Sequence, residues 1–228
     1  RASIYNEDML FQEFGIDAEI MIDHAWGLEP CGMAEIKAYK PSTNSLSEGQ
    51  VLAEPYPYDK ARIIVAEMAD SLVFQLTDKN LVTDGLTLDV GYDRENCDKG
   101  SYRGPVHIDH YGRSVPKGAH GSTHLGNPTN LGSRIVTAAV ELFDQIANRS
   151  LTVRRITIAA NRVVQDEGVY QFDLFSDVEK QEKEKTLQKA LLGIKKKYGK
   201  NAILKGTNFL DGATMRERNK QIGGHKES

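Results

Sequence analysis

The spacing of apolar residues between positions 40 and 165 predicts alternating strands and helices. One helix is predicted over 59–77, with Asp59 as its candidate N-cap residue. Its apolar residues recur three or four positions apart: Ala61, Val65, Met68, Leu72 and Leu76. A second helix is predicted over 132–147 from a similar stripe: Ile135, Ala138, Ala139, Leu142, Phe143 and Ile146. Each helix therefore has one apolar side that must be buried.

Strands are predicted around these helices from an alternation with a period of two. The clearest is 86–90, where Leu86, Leu88 and Val90 alternate with polar residues. Further strands are predicted at 47–54, 119–125 and 151–164, with 91–118 as an extended β-excursion or mobile loop. The order β-α-β-β-α-β predicts an α+β, ferredoxin-like domain with two helices on one face of an antiparallel sheet. The other face is open, either as a platform for a ligand or nucleic acid or simply facing water.

Helical segments flank this domain on both sides. Two short helices are predicted at 7–15 and 17–27, and each ends at a glycine. Residues 40–47 (KPSTNSLS) read as a linker, and 177–199 as a charged helix. Residues 215–228 have few apolar side chains, so we expect loose order there. The predicted organisation is 1–39 helical, 40–47 linker, 48–165 central domain, and 166–228 a peptide with a basic helical tail.

The composition is that of an ordinary soluble globular protein. Apolar residues make up 39% of the 228 positions and charged residues 27%, and no apolar run could span a bilayer. Cys31 and Cys97 lie far apart and form no metal-binding spacing, which favours a reducing, cytoplasmic setting. Because the sequence starts at Arg1 rather than at Met, we expect a fragment or a processed product.

Charge is distributed unevenly along the chain. Residues 1–39 contain eight acids and two bases, residues 40–165 contain fourteen of each, and residues 176–228 contain thirteen bases and seven acids. Nucleic-acid-binding proteins usually have a basic face. A DNA-binding surface on the central domain must therefore depend on the local placement of Arg and Lys.

The last predicted strand contains a break in its alternation. Val153 and Ile156 are three positions apart, which predicts a β-bulge at Arg154-Arg155 and could turn both guanidinium groups towards the open face. Guanidinium suits bidentate phosphate contacts, and Asn161 and Arg162 follow on the same strand. The alternative is a pair of solvated arginines on an edge strand.

Two polar segments next to the domain are further candidates. In the linker, Lys40, Asn44, Ser45 and Ser47 could contact phosphates, or the segment could be a plain solvated linker. The pentapeptide 171–175 offers Gln171 for hydrogen bonds and three apolar anchors: Phe172, Leu174 and Phe175. Such a peptide can fill a partner's pocket, or it can pack as an apolar staple on its own domain.

The sequence contains no recognisable catalytic centre. It has no Gly-x-Ser-x-Gly motif, no P-loop and no Cys/His nucleophile pair. Four histidines fall within eighteen residues (His107, His110, His120 and His124), but no zinc signature completes them, and we expect loop histidines near a polar sheet. Two alternatives to DNA binding stay open: a protein-interaction module that uses the open sheet, and a small-molecule or metal-dependent enzyme that uses these histidines.

Several local sequences occur together in a characteristic order. They are 14–16 (FGI), 25–27 (AWG), 40–47 (KPSTNSLS), 121–126 (GSTHLG), 153–156 (VRRI), 174–175 (LF), 198–206 (YGKNAILKG) and 222–226 (IGGHK). Together they resemble the C-terminal half of a Y-family lesion-bypass DNA polymerase. The closest type is the ImpB/MucB/SamB-like UV-damage repair protein of low-GC Gram-positive bacteria.

The resemblance implies a role for each segment. Residues 1–39 look like the end of the thumb. Residues 48–165 look like the little finger, which grips primer-template DNA in error-prone repair and SOS mutagenesis. Residues 171–175 look like the peptide that binds the bacterial sliding clamp. Arg154 and Arg155 match an arginine pair near the template strand, and Ser45 and Ser47 match a phosphate-contacting stretch. The palm, with its Mg²⁺-binding carboxylates, has no counterpart in this sequence. We therefore expect no cofactor and no polymerase activity in this part of the enzyme, and a location with the cytoplasmic nucleoid.

Overall fold

The computed structural model of the chain describes residues 7–15, 17–29, 31–39, 44–98, 102–109, 112–168, 178–222 and 225–226. The chain falls into two compact units, residues 1–43 and residues 44–228. This division lies inside the segment 40–47, which has the composition of a linker. Within the described ranges, no helix combines the length and the apolar character needed to cross a bilayer.

The first unit contains three short helices: α1 (Glu7–Phe14), α2 (Asp17–Trp26) and α3 (Met33–Ala38). α1 and α2 are the two predicted helices, and they contact each other. Gly15 and Gly27 follow them with φ of 57° and 77°, a left-handed conformation that glycine adopts without strain. α3 is not anticipated by the sequence analysis, because its apolar side chains Met33 and Ile36 stay exposed and form no buried stripe.

The second unit contains the predicted β-α-β-β-α-β series and is an α+β domain. Its first elements are β1 (Leu46–Tyr56), α4 (Tyr58–Asp78), β2 (Leu81–Tyr92), α5 (Glu95–Asp98), β3 (Val106–Ile108), β4 (Ser114–Pro116), β5 (Ala119–Thr129), α6 (Gly132–Ile146), β6 (Val153–Asn161) and β7 (Val164–Gln165). The main sheet runs β1-β6-β2-β5 with antiparallel neighbours, and β7 pairs with the start of β2. Each β-α-β unit is thus split by a strand of the other. The predicted excursion between β2 and β5 contains α5 and the β3–β4 hairpin.

Both long helices pack on the same face of the sheet. The predicted stripe of α4 is fully buried, and Ile135, Ala139, Leu142 and Phe143 of α6 are at most 4% exposed. The sheet contributes Leu86, Leu88, Ile156 and Ile158 to the same core. At Gly121 of β5 a Cβ atom would lie 2.7 Å from Ile146, so the glycine lets α6 approach the strand closely. Burial of this face drives the fold.

Element boundaries differ from the prediction where side chains have tertiary partners. α4 begins at Tyr58 with Pro57 as N-cap, so Asp59 is not the N-cap residue but lies in the first turn. Tyr58 is drawn into the helix because its ring stacks on Phe143 with centroids 5.0 Å apart. The last strand stops at Asn161, because Arg162 adopts a φ of 47° and interrupts it before β7.

A carboxylate on α6 ties the two helices together. Asp144 accepts a hydrogen bond from Tyr58 Oη at 2.5 Å and two from Arg62 Nε at 2.9 and 3.2 Å. The hydrogen bonds from Arg62, and then the one from Tyr58, hold the pKa of Asp144 below its usual value against the opposing effect of partial burial. The ionised carboxylate therefore stabilises the α4–α6 contact.

The Asp144→Asn variant is expected to lower the free energy of unfolding by about 1 kcal/mol near neutral pH. The folded pKa lies below that of an unfolded Asp, about 3.9. The stabilisation is therefore present above that pH and is lost as the pH falls through the folded pKa. Urea unfolding at neutral pH and near pH 3 measures this, with Glu141→Gln, an exposed acid on the same helix, as the control. A stability difference that is as large near pH 3 as at neutral pH would contradict this role.

The C-terminal segment folds back onto α4. It contains α7 (Val178–Tyr198), a 3-10 helix (Gly206–Phe209), α8 (Met215–Arg218) and the paired short strands β8 (Gln221–Ile222) and β9 (His225–Lys226). α7 confirms the predicted charged helix. The expectation of loose order from residue 215 onwards is wrong for α8 and the two strands.

Glu67 explains the order of the segment up to α8. Its carboxylate, 2% exposed on α4, accepts hydrogen bonds from Asn208 Nδ2 at 2.8 Å and from the backbone N–H groups of Thr214 and Met215 at 2.8 and 2.9 Å. A buried carboxylate needs such donors, and here the tail supplies them. The sequence does not predict this anchor, because the tail has few apolar residues and Glu67 lies about 140 positions before Asn208.

Candidate nucleic-acid interface

A β-bulge lies where the apolar alternation of β6 slips. Val153 pairs with Tyr92 of β2, and Arg155 pairs with the preceding residue, Gly91. Arg154 is therefore the extra residue on β6, and the predicted bulge is confirmed. The register with β1 is also shifted at this point.

The bulge gives its two arginines different surroundings. Arg155 is exposed, and its Cβ lies 3.2 Å from the position that a Cβ on Gly91 would occupy, so it stands on the face opposite the helices. Within the described part of the chain it has no ion-pair partner. Arg154 instead donates to the carbonyl of Ala53 at 3.1 Å and lies 3.6 Å from the Asp93 carboxylate. Arg155 therefore has the free guanidinium, whereas Arg154 helps to hold the end of the sheet.

The face opposite the helices is lined mainly by small side chains. By the strand alternation it carries Ser47, Gly49, Val51, Gly85, Thr87, Asp89, Gly91, His120, Ser122, His124, Arg155, Thr157, Ala159 and Asn161. We call these residues the open face. Within the second unit, α4, α6 and the C-terminal segment all pack on the other side, so none of these three covers the open face.

Arg162 closes one end of the open face. Its Nε donates to both oxygens of Asp84 at 2.7 and 3.0 Å, and Nη2 lies 3.0 Å from a ring nitrogen of His124. A Cβ on Gly85 would lie 3.1 Å from Nη2, so the glycine leaves room for the guanidinium. Beside it, Asn161 Nδ2 donates to Thr87 Oγ1 at 2.6 Å. Arg162 is thus held in a fixed position, with part of its charge balanced by Asp84.

The start of β1 meets the same end of the sheet. Ser47 pairs with Ala159 and lies on the open face, and Ser45 precedes the strand as an exposed residue. The carbonyl of Asn44 accepts the N–H of Val163 at 2.8 Å. The structure therefore brings Asn44 and Ser47 next to the end of β6. Lys40 lies outside the described residues, as do Gln171, Phe172, Leu174 and Phe175, and their roles stay predictions.

Two histidines belong to the open face rather than to a loop. His120 and His124 lie on the edge strand β5, and His120 Nδ1 is 2.7 Å from the Asp89 carboxylate on β2. The alternation of residues over 119–125 indicates this placement of the histidines, because it puts positions 120, 122 and 124 on one side of the strand. In the described ranges, no cluster of three or more His, Cys, Asp or Glu side chains could hold a metal ion. His107 lies on β3, and His110 falls outside these ranges.

Two curated proteins are similar to nearly the whole chain. One, from Bacillus subtilis (strain 168), carries the provisional name UV-damage repair protein UvrX and is 24% identical over 221 residues, which is 96% of this chain and 47% of that protein. The other, DNA polymerase IV 2 from Halalkalibacterium halodurans, is 23% identical over 216 residues, with 93% and 46% covered. The chain thus spans about half the length of these relatives.

A solved structure and a sequence family also match. A chain in the structure titled "Complex of beta-clamp processivity factor and little finger domain of PolIV" has a TM-score of 0.35 and 10% identity, covering 58% of this chain and 99% of that one. A likeness at this level carries no argument about function. Residues 43–174 match the family described as "impB/mucB/samB family C-terminal domain", as the sequence motifs implied. Because the matched residues make up more than half of the chain, the chain belongs to the impB/mucB/samB family and contains its C-terminal domain.

Proposed function

We propose that the second unit grips the sugar-phosphate backbone of primer-template DNA for a Y-family lesion-bypass polymerase. The observation that carries this proposal is the open face, which α4, α6 and the C-terminal segment leave uncovered and which presents the free guanidinium of Arg155. Small side chains in the middle of this face let phosphates approach the strands closely, and Arg155 and Arg162 lie towards its opposite ends.

A grip of this kind reads no sequence. Contacts to phosphate fix the position of the protein on the duplex, whereas sequence is read from base edges in the grooves. The open face has few long polar side chains in its middle that could reach into a groove: Thr87, Thr157 and Ala159 are all short. Such a surface suits a polymerase that must hold templates of any sequence, including damaged ones.

The binding of primer-template DNA should weaken steeply with salt. If the open face and the start of β1 neutralise about four phosphates, the slope of log K against log salt is roughly −3 to −4. Fluorescence anisotropy with a labelled primer-template duplex, titrated between about 50 and 200 mM salt, measures this slope. A salt-independent affinity would favour the alternative of a protein-interaction module. The same alternative would be favoured if the chain bound no DNA and its open face captured a protein partner.

The tether is a second part of the proposal. The pentapeptide 171–175 docks its apolar residues into a pocket of the bacterial sliding clamp, so that the polymerase stays near the primer end. It directly follows the DNA-gripping domain in sequence. Clamp and DNA binding would then raise each other's effective concentration.

The catalytic step is assigned to no residue of this chain. In this proposal, carboxylates of a palm domain hold the Mg²⁺ ions that support nucleotidyl transfer. The present chain grips the DNA and tethers the polymerase to the clamp. It does so in the cytoplasm, during error-prone synthesis in the SOS response. Its acids, such as Asp89 and Asp144, pair with neighbouring side chains instead.

A further inference from the structure

The end of α7 and the segment that follows it form a basic surface apart from the open face. Residues 195–220 contain eight bases and only two acids. They pack on α4 through contacts such as Lys205 with Asp70 at 2.7 Å and Asn208 with Glu67. Because α4 covers the opposite side of the sheet, this surface is separate from the open face. It also lies beyond residues 43–174, which match the family domain.

Part of this positive charge has no acidic partner. Lys196 is paired with Asp78, and Lys220 with Glu217. Within the described residues, by contrast, Lys200 and Arg218 have no carboxylate within ion-pair distance. A local surplus of exposed bases attracts polyanions.

Two exposed aromatic rings lie among these bases. Tyr198 is 66% exposed and Phe209 is 61% exposed, so neither ring serves the core. Lys197 Nζ lies 5.2 Å from the ring centre of Tyr198, and Arg216 Cζ lies 4.9 Å from that of Phe209. Each ring therefore carries a cation beside it and keeps most of its surface open to solvent.

Side-chain hydrogen bonds connect the segment after Tyr198 with the segment around Arg216. Asn201 Nδ2 donates to the carbonyl of Arg216 at 3.0 Å, and Asn219 Nδ2 donates to Asn201 Oδ1 at 2.8 Å. The buried Glu67 fixes Asn208, directly before Phe209. The two chain segments that carry the rings are thus held together before binding, and a ligand need not order these segments.

We propose that this surface binds single-stranded nucleic acid, with bases stacked on Tyr198 and Phe209 and phosphates held by Lys200 and Arg218. Aromatic platforms inside a basic surface are the means by which proteins hold unpaired strands of any sequence. In a duplex the base faces are already stacked on one another, so the exposed rings would have no function there. In a lesion-bypass polymerase, the unpaired template is the strand that such a site would hold.

The experiment compares two ligands on the full 228-residue chain: a labelled oligothymidylate that spans a site of about 4–16 nucleotides, and a primer-template duplex. Tyr198→Ala with Phe209→Ala is expected to weaken oligothymidylate binding by about 30-fold or more. Duplex affinity should change by less than about twofold, because the rings lie away from the open face. Lys200→Ala with Arg218→Ala should reduce the salt slope for the single strand by about 1.4.

Control variants separate this site from the open face. Tyr198→Trp with Phe209→Trp keeps flat aromatic surfaces and should retain oligothymidylate binding, whereas Arg155→Glu should weaken duplex binding alone. Unchanged oligothymidylate affinity in the double alanine variant would overturn the proposal, as would equal loss of both ligands in Arg155→Glu. Failure of duplex binding with retained oligothymidylate binding would instead reject the open face and leave this surface standing.

Discussion

Alanine at both Leu174 and Phe175 is expected to abolish binding to the bacterial sliding clamp. Apolar anchors of this kind cost about 2 kcal/mol or more each when truncated, so the double variant should bind about 1000-fold more weakly. Surface plasmon resonance with immobilised clamp measures the affinity directly. Primer-template binding should stay unchanged, because the open face is built from residues 47–161.

A matched control is available on α7. Leu187 is 58% exposed, so Leu187→Ala removes a similar apolar side chain from the same part of the sequence without opening a cavity. This variant should bind the clamp like the parent chain. Unaltered clamp affinity in the Leu174→Ala, Phe175→Ala variant would mean that the pentapeptide is an apolar staple of its own domain.

Charge reversal at Arg155 is expected to weaken primer-template binding by about 30-fold or more at low salt. Arg155→Glu removes one phosphate contact and adds a repulsive charge, so the dependence of log K on log salt should also become shallower by about 1 to 2. Because Arg155 is exposed and has no ion-pair partner among the described residues, the melting temperature should change little. Anisotropy titrations at several salt concentrations, together with thermal unfolding, test both statements.

Two further variants guard against a general effect of net charge. Lys189→Glu makes the same change in charge on an exposed position of α7 and should leave duplex binding within about twofold. Asp89→Asn removes an acid from the open face and should tighten binding modestly, by about two-fold to five-fold. If Lys189→Glu weakens binding as much as Arg155→Glu does, the open face is not the site of the grip.

The two arginines of the bulge show what a local sequence pattern predicts and what it does not predict. The three-residue spacing between Val153 and Ile156 predicts the bulge, and the strand pairings confirm it. The same pattern treats Arg154 and Arg155 as equivalent. The structure separates them, because Asp93 and the carbonyl of Ala53 bind only Arg154. Arg154→Glu therefore mixes a loss of stability with any loss of DNA binding, and Arg155 is the informative position.

The sequence by itself determined the two long helices and the four main strands of the central domain. Apolar spacing is a local property: the stripe of α4 and the alternation of β2 each need one buried face, and that requirement can be read within about ten residues. The motifs along the chain likewise identified the family, which the match over residues 43–174 confirms.

Only the tertiary structure decided which polar groups are free and which are bound. Glu67 and Thr214, or Asp84 and Arg162, are far apart in sequence, and no periodic pattern links them. Their pairing depends on how helices and strands pack, since a hydrogen bond forms only where both partners arrive at about 3 Å. For the same reason the order of the tail and the free charge of Arg155 emerged only once the chain was folded.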